Sequence, residues 1–459
     1  MSAERLMWRA GLRSIMVRVT RQPELAPGRQ AGGLAAIIAR SCARVWPVSA
    51  ARGLPGSFWV LWIGTLVNRL GYMVEPFLAY YLTGIRGLSL DTSGAVLAAV
   101  GAGSVVSQLA AGVLADRLGR RATLALGMLS NACALIALGY ARGIAPIVLA
   151  ALLFGATVNI YRPAAAALVA DLVQPGDRPR AYGLLFWAVN IGFSAAMVAG
   201  GILARTGFAW LFWMDAVTCI AFGLIVWRGI PNRSLTRSVG APDRQLLHDA
   251  PSRPGTAARP RRGGPAGGLR RLGRDRVMSI YLGLTLCYCF VYLQAYTTLP
   301  LAMRLRGLPP DSYGLAIAVN GVLIVVAQPL ASSWLSARDK TTALAAGIVI
   351  IGLGFGLTTA AGSTLAYAAT VVVWTLGEIV TAGLGQAIVA DLAPAHLRGL
   401  YSGAYGSVWS AAYLIGPLAG TRLLAIGAPV LWLGCASICI AAAMALLALG
   451  PGIRQRSSP

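Results

Sequence analysis

The sequence predicts an all-α membrane protein with twelve transmembrane helices in two pseudo-symmetric six-helix bundles. Hydrophobic residues make up 57% of the 459 residues and charged residues only 12%, whereas about a quarter of the residues of a soluble domain are charged. The charges are confined to short segments between long apolar runs. In addition, the second half of the chain repeats parts of the first half at a constant spacing.

The apolar runs are each long enough to cross the roughly 30 Å hydrocarbon core of a bilayer, which takes about 20 helical residues. They lie at residues 57–82, 94–114, 122–141, 145–173, 182–204, 208–227, 277–303, 312–335, 341–361, 364–392, 402–424 and 428–449. The predicted bundles are therefore residues 57–227 and 277–449. Residues 228–276, rich in proline, glycine and arginine, predict a basic cytoplasmic linker, and residues 450–459 form a cytoplasmic tail.

A basic leader precedes the first run. Residues 1–56 contain nine arginines and two glutamates, and their apolar stretch at 32–39 is too short to span a membrane. No apolar core followed by a small-residue cleavage site indicates a secretory signal. We expect a disordered cytoplasmic leader, and a surface-lying amphipathic segment is the alternative.

The distribution of lysine and arginine predicts the orientation in the membrane. If the N-terminus is cytoplasmic, the leader, the turn at residues 116–121, the linker and the tail all lie on the inner side. An excess of basic residues marks the cytoplasmic side of membrane proteins. The sequence therefore predicts a multi-pass protein of the plasma membrane with both termini in the cytoplasm.

Several function classes are disfavoured by the same sequence. The net charge of +24 lies in short segments, whereas nucleic-acid-binding proteins spread basic residues over a water-exposed surface. The seven cysteines show no metal-ligand spacing, and His248 and His396 lie outside the apolar runs. No nucleophile–base set or phosphate-binding loop occurs. We therefore expect no nucleic-acid partner, no metal or cofactor, and no enzymatic activity.

An internal repeat relates the two halves. A shift of 220 residues places Ala-Leu-Val-Ala-Asp-Leu at 167–172 on Ala-Ile-Val-Ala-Asp-Leu at 387–392. The same shift places Arg178 on Arg398 and Leu124 on Leu344. One offset that holds across several helices indicates parallel six-helix repeats, an architecture of transporters that bind their substrate near the membrane midplane.

The turn between the second and third runs carries a motif. Residues 112–121 read Gly-Val-Leu-Ala-Asp-Arg-Leu-Gly-Arg-Arg, and Leu124 follows. This stretch resembles the loop signature of the major facilitator superfamily, G-x-L-A-D-R-x-G-R-R-x-x-L. Its signature residues are Gly112, Asp116, Arg117, Gly119, Arg120 and Arg121. The resemblance implies the major facilitator fold and a central cavity lined by helices 1, 4, 7 and 10.

Ionisable residues inside membrane helices are candidates for function, because an unpaired charge there is costly. Arg69 and Glu75 lie in the first run, Arg162 in the fourth and Glu378 in the tenth. The resemblance implies that all four can face the cavity, although buried ion pairs without a transport role are the alternative. Asp215, in the sixth run, is interpreted as a structural polar contact.

Polar and aromatic neighbours extend this candidate cavity. Asn68 and Glu75 are seven residues apart, which places them on one face of a continuous helix. Tyr292 belongs to a tyrosine stripe at i, i+4 and i+8 in the seventh run, with Gln294 beside it. Such a stripe suits stacking on an organic cation, and ordinary helix packing is the alternative.

Glu75 and Glu378 are the predicted proton sites. Burial favours the protonated form of a carboxyl group, and a nearby arginine favours the ionised form. A carrier coupled to protons needs both tendencies, because it must bind the proton in one access state and release it in the other.

The resemblance also implies a gate on the cytoplasmic side. Arg120 is expected to pair with Asp171, and Asp116 to lie near the start of helix 11 at residues 402–405, where free N–H groups favour negative charge. The repeat sends the first pair to Lys340 and Asp391. Both pairs are expected to close the cytoplasmic side and to loosen as the cavity opens inward.

The leading hypothesis is a monomeric secondary active transporter that moves a small organic solute by alternating access. Proton-coupled efflux of drug-like or lipophilic metabolites is the first choice. The alternatives are a proton-coupled importer of a sugar or organic anion, and a non-transporting membrane sensor on a carrier fold. Exporters that this chain resembles carry Gly-Pro-x-x-Gly-Gly in helix 5, and Met197 stands here in place of that proline.

Overall fold

The computed structural model describes residues 53–230, 265–335, 338–394 and 397–457. Within these ranges all regular structure is helical. The predicted leader lies outside the described residues up to position 52, and so does residue 231–264 of the predicted linker.

The first half contains eight helices. They are α1 Gly56–Leu70, α2 Val74–Tyr80, α3 Leu90–Leu118, α4 Arg120–Tyr140, α5 Ile144–Val158, α6 Tyr161–Leu172, α7 Arg178–Thr206 and α8 Ala209–Gly229. A π-helical turn at Tyr81–Ile85 extends α2, and a short 3₁₀ turn at Pro175–Asp177 precedes α7.

The second half repeats this order after one additional helix. Its helices are α9 Pro265–Arg274, α10 Arg276–Thr297, α11 Leu299–Leu305, α12 Pro310–Leu335, α13 Lys340–Leu357, α14 Thr364–Thr381, α15 Leu384–Leu392, α16 Arg398–Ile426 and α17 Ala428–Ser457. Thus the predicted linker contains a helix, α9, and the predicted tail continues the last helix to Ser457.

Twelve membrane segments result when the short helices are joined in pairs. Ten helical stretches of the described residues are long and apolar enough to cross a membrane. The other two segments are the first, formed by α1 and α2, and the eleventh, formed by α16 with 29 residues. This confirms the predicted all-α fold of two six-segment bundles.

The repeat is visible in the helix boundaries. Helix α7 begins at Arg178 and ends at Thr206, and α16 begins at Arg398 and ends at Ile426, so both ends are shifted by 220 residues. The same shift relates the first residues of α1 and α10, α3 and α12, α4 and α13, and α5 and α14. The predicted pseudo-symmetry therefore holds for the backbone.

The first, fourth, seventh and tenth segments are each broken into two helices, whereas the sequence predicted continuous runs. The breaks lie at residues 71–73, 159–160, 298 and 382–383. In the first three, a proline follows within a few residues (Pro76, Pro163 and Pro300), and proline lacks the N–H that would bond to the carbonyl four residues earlier. In the tenth segment, Gly383 adopts a left-handed conformation with φ 77°, which favours glycine.

The two halves meet along two repeat-related contacts, α3 against α16 and α7 against α12. Gly94 and Gly101 of α3 lie against α16, and the repeat-equivalent Gly314 and Gly321 of α12 lie against α7. A Cβ atom at any of these positions would collide with the neighbouring helix. Small residues of this kind allow membrane helices to approach closely.

Asp275 ties three elements together at the edge of the second half that also holds the start of α10. Its Oδ1 accepts the Met278 N–H at 3.2 Å, and its Oδ2 accepts the Tyr401 hydroxyl at 2.9 Å. Arg456 Nη1, near the end of α17, lies 2.7 Å from Oδ1 and 2.8 Å from Oδ2. Burial favours protonation, but the bonds from Arg456, the Met278 amide and Tyr401 outweigh it and lower the pKa of Asp275.

We expect Asp275→Asn to lower the free energy of unfolding by about 1 kcal/mol at neutral pH, because it removes a charge-assisted hydrogen bond. A carboxyl group with a lowered folded pKa stabilises the protein above its unfolded pKa of about 3.9. The difference between wild type and variant should therefore disappear as the pH falls through the lowered pKa. Thermal unfolding of the detergent-purified protein across this pH range measures it, with Arg456→Gln as the matched partner variant. Equal unfolding temperatures at neutral pH would contradict the role of Asp275.

Candidate functional site

Glu378 of α14 lies where the two halves meet. Its Oε1 accepts the Tyr292 hydroxyl of α10 at 2.8 Å, and its Oε2 accepts Asn320 Nδ2 of α12 at 2.6 Å. Asn320 also bonds to Thr375 Oγ1 at 3.0 Å. The Glu378 side chain is half-buried, and in the described part of the chain no lysine or arginine forms an ion pair with it. Neutral donors therefore hold this carboxyl group.

Aromatic rings surround the Glu378 carboxyl group. The Tyr292 ring packs edge-on against Trp374 at 6.2 Å and against Trp409 at 5.8 Å between ring centroids. Tyr288 and Tyr296 continue this cluster, at 5.8 Å from Trp409 and 5.9 Å from Tyr292 respectively. The structure thus brings together the predicted Tyr292 and Glu378. The contribution of Trp409 was missed, because no charge or motif on α16 marks it.

The aromatic cluster continues into the first half. The Phe193 ring of α7 lies 6.2 Å from Tyr296 and 6.3 Å from Tyr72 between centroids. Tyr72 donates a hydrogen bond to Glu75, which is half-buried. Glu75 is therefore placed on the same side of the first segment as the contact with the second half.

Arg69 is buried inside the first half, with 4% of its surface exposed. Its guanidinium lies over the Tyr72 ring at 4.6 Å and the Tyr161 ring at 5.1 Å. It borders a water-sized polar cavity together with Asp215. Asp215 Oδ2 accepts the Val74 N–H at 3.3 Å, so it caps the start of α2 in the structural role expected for it.

Two predicted cavity residues point elsewhere. Asn68 donates to Cys219 Sγ at 3.3 Å inside the first half, because the break at residues 71–73 rotates α2 out of register with α1 and ends the expected i, i+7 face. Gln294 is fully buried and donates to the carbonyl of Phe290 at 2.8 Å and of Gly416 at 3.4 Å. It therefore holds α10 against α16 and does not line a cavity.

Arg162, at the beginning of α6, is exposed and forms no printed ion pair with a described residue. Its charge acts on Arg69 in its own half and on Tyr413 of α16 in the other half. Arg162 therefore faces the region between the halves, as predicted for a cavity residue.

The signature turn lies on the side of the molecule that we call the turn face. Gly119 adopts φ 81° between α3 and α4, a conformation that favours glycine. Arg117 is exposed, and Arg121 lies 4.5 Å over the Trp227 ring and donates to its carbonyl. The side chains of Gly112 and Asp116 lie outside the described residues, and with them the expected contact of Asp116 with α16.

Both expected ion pairs of the turn face are formed. Arg120 pairs with Asp171 and also donates to the Ala167 carbonyl at 2.9 Å, and Lys340 Nζ lies 2.6 Å from Asp391 Oδ2. Each pair joins two segments of the same half. They therefore brace each half internally and do not bridge the two halves.

Contacts between the halves close the opposite face. Arg205 Nη1 of α7 lies 2.9 Å from Asp311 Oδ2 of α12. The Tyr80 hydroxyl donates to the Leu308 carbonyl at 3.2 Å, and the Tyr313 ring lies 5.3 Å from Phe77 and 6.2 Å from Tyr80. The sequence analysis missed this closure, because Arg205 and Asp311 read as ordinary charges at the ends of membrane runs.

We expect Asp311→Asn to favour opening of the opposite face. The Arg205 side chain is 62% exposed, so the pair contributes at most about 1 kcal/mol and the equilibrium should shift up to about fivefold. The rate at which a cysteine placed at the buried Ser312 reacts with a water-soluble thiol reagent measures this opening. Asp91→Asn is the matched control, since Asp91 is the repeat equivalent of Asp311 but is exposed at the start of α3. An unchanged rate in Asp311→Asn would show that the pair does not hold the closed state.

Comparison with known proteins agrees with this architecture. The sequence profile of the Major Facilitator Superfamily matches residues 61–417 and, in a second match, 284–458. The uncharacterized MFS-type transporter YttB of Bacillus subtilis is 25% identical over 376 residues, covering 81% of this chain and 89% of YttB. A Na⁺, Li⁺, K⁺/H⁺ antiporter of Planococcus maritimus is 22% identical over 382 residues, covering 77% and 85%.

Solved structures support the fold. The crystal structure of a peptide transporter POT in complex with sulfate superposes with a TM-score of 0.70 at 16% identity, covering 88% of this chain and 96% of that one. This likeness concerns the fold alone. With the profile matching most of the chain, the protein belongs to the Major Facilitator Superfamily and is a multi-pass membrane transporter.

Proposed function

We propose that this transporter couples the movement of a small organic solute to protons, by alternating access, and that it works as an exporter of drug-like or lipophilic metabolites. The observation that carries the proposal is the Glu378 carboxyl group, held between the halves by Tyr292 and Asn320 without a basic partner among the described residues. A carboxyl group in this setting can accept a proton without breaking an ion pair. The antiporter from Planococcus maritimus, whose name describes exchange for protons, supports proton coupling.

The lining of the site supports the choice of solute. Tyr292, Trp374 and Trp409 present aromatic surface around Glu378, and aromatic surface suits lipophilic solutes. The exposed Arg162 is the observation that favours the second candidate, an importer of an organic anion. A non-transporting sensor would be expected to have a fully paired centre, and the unpaired Arg162 and Glu378 count against it.

The orientation follows from the basic residues. We propose that the turn face, with Arg117, Arg120, Arg121 and the start of α10, faces the cytoplasm, because cytoplasmic loops carry an excess of arginine and lysine. Both termini then lie in the cytoplasm of a cell whose plasma membrane holds the protein as a monomer. In this orientation the described closure at Arg205 and Asp311 faces outward.

We expect Glu378→Gln to abolish transport driven by a pH gradient while leaving exchange of solute across the membrane. The amide preserves the shape and the acceptor oxygen but does not titrate. Proteoliposomes with an internal pH dye, given a panel of aromatic amines, sugars and organic acids, measure the coupling. Glu75→Gln tests the other candidate carboxyl group, and Asp91→Asn is the control. If both glutamate variants retain wild-type coupling, neither residue is the proton site.

The turn-face pairs are proposed to hold the cytoplasmic side closed in the outward-open state. Removing both with Asp171→Asn and Asp391→Asn should then favour the inward-open state. Each exposed pair contributes at most about 1 kcal/mol, and the effects of separate pairs should add. The labelling rate of the cysteine at position 312 should fall in the double variant, opposite to the effect of Asp311→Asn. A rate equal to wild type would mean that these pairs only brace each half.

A further inference from the structure

Two charges at the centre of the protein have no partner of opposite sign, and they come from different halves. Arg162 of α6 is exposed, and the charge nearest to it in its own half is the like charge of Arg69. Glu378 of α14 is half-buried and is held only by the neutral donors Tyr292 and Asn320. The first half therefore presents a positive group and the second half a negative group.

The other ionisable groups of the centre are compensated. Asp215 accepts the Val74 N–H at 3.3 Å and lies close to Arg69 across a water-sized cavity. Glu75 accepts a hydrogen bond from Tyr72 and also acts on Arg69. Asp215 and Glu75 thus have local partners, and the imbalance remains with Arg162 and Glu378.

Two tyrosines place these charges around one shared space. Tyr413 of α16 is within electrostatic range of Arg162 and of Tyr296. The Tyr296 hydroxyl lies 3.3 Å from the Tyr292 hydroxyl, which in turn donates to Glu378 at 2.8 Å. Arg162 and Glu378 therefore lie on opposite sides of the same pair of tyrosines.

The repeat shows that this polarity is not a product of the duplicated backbone. The shift of 220 residues places Arg162 on Ala382 and Glu378 on Val158. Each charge is thus present in one half and absent from the equivalent position of the other. A symmetric frame carries an asymmetric pair of charges.

We propose that the cargo is a dipolar molecule, with an anionic group that binds Arg162 and a cationic group that binds Glu378 and its aromatic neighbours. An arginine binds carboxylate or phosphate with two parallel hydrogen bonds, and aromatic rings beside a carboxylate suit an organic ammonium group. Tyr292, Tyr296 and Trp409 supply apolar surface for the body between the two charges. This inference rests on the proposed function, since it names the substrate class of the same site.

A matched series of ligands tests the proposal. Phenethylamine, 3-phenylpropanoate and phenylalanine share a phenyl ring and carry a cation, an anion and both charges, and biphenyl analogues of the three provide a larger body. Quenching of tryptophan fluorescence in the detergent-purified full chain reports binding, since Trp374 and Trp409 lie beside Glu378. We expect the dipolar member to bind at least tenfold more tightly than either singly charged member of the same size.

The variants assign each charge to its partner. Arg162→Gln should remove the advantage of the dipolar ligand over the amine, and Glu378→Gln should remove its advantage over the carboxylate. Arg142→Gln and Asp91→Asn, both exposed and away from the centre, should leave the wild-type order of affinities. Melting temperatures of all four variants verify that they are folded.

Three results would overturn the proposal. Equal binding of the amine and the dipolar ligand, with no effect of Arg162→Gln, would indicate an organic-cation site. Equal binding of the carboxylate and the dipolar ligand, with no effect of Glu378→Gln, would indicate an anion site. No dependence on ligand charge in either size would indicate that Arg162 and Glu378 bind each other in another access state. Because binding is measured without a pH gradient, failure of proton coupling in proteoliposomes would contradict the proposed function and leave this result intact.

Discussion

The structure depends above all on the cost of an ionised side chain in hydrocarbon, which is at least ~2.5 kcal/mol at the centre of a membrane helix. Charged pairs accordingly lie at the two faces, such as Lys340 with Asp391 and Arg205 with Asp311. Charges in the interior have other partners: main-chain N–H for Asp215 and aromatic rings for Arg69. Charges that remain unpaired stand out against this background, and they lie where the halves meet.

The breaks in four segments position the interior groups. The segment that the sequence shows as one apolar run becomes α1 and α2, and the Asp215 side chain binds the first N–H groups of α2. Free N–H groups in a membrane are costly, so Asp215 stabilises the break. The break in turn directs Asn68 into the first half while leaving Glu75 towards the second. Backbone irregularity and polar side chains are therefore coupled.

The repeat fixes the frame, and the side chains depart from it. Helix boundaries agree between the halves, and the glycines at 94, 101, 314 and 321 provide the same close approach on both sides of the molecule. Tyr72 and Tyr292 occupy equivalent positions, and each donates to a carboxyl group. However, these carboxyl groups, Glu75 and Glu378, do not occupy equivalent positions. A symmetric scaffold of this kind allows two halves to rock about one centre while each contributes different chemistry.

By itself the sequence determined the number, order and repeat of the membrane segments, because these follow from hydropathy and from the helix length that spans a bilayer. It also paired Lys340 with Asp391, since the repeat carries one contact onto the other. Only the tertiary structure decided which side of each helix faces the centre, and it turned Asn68 and Gln294 away. It alone joined Arg205 to Asp311, 106 residues apart in the chain. The physical reason is that helix rotation, and contacts between halves, are set by packing against neighbours that a one-dimensional pattern does not specify.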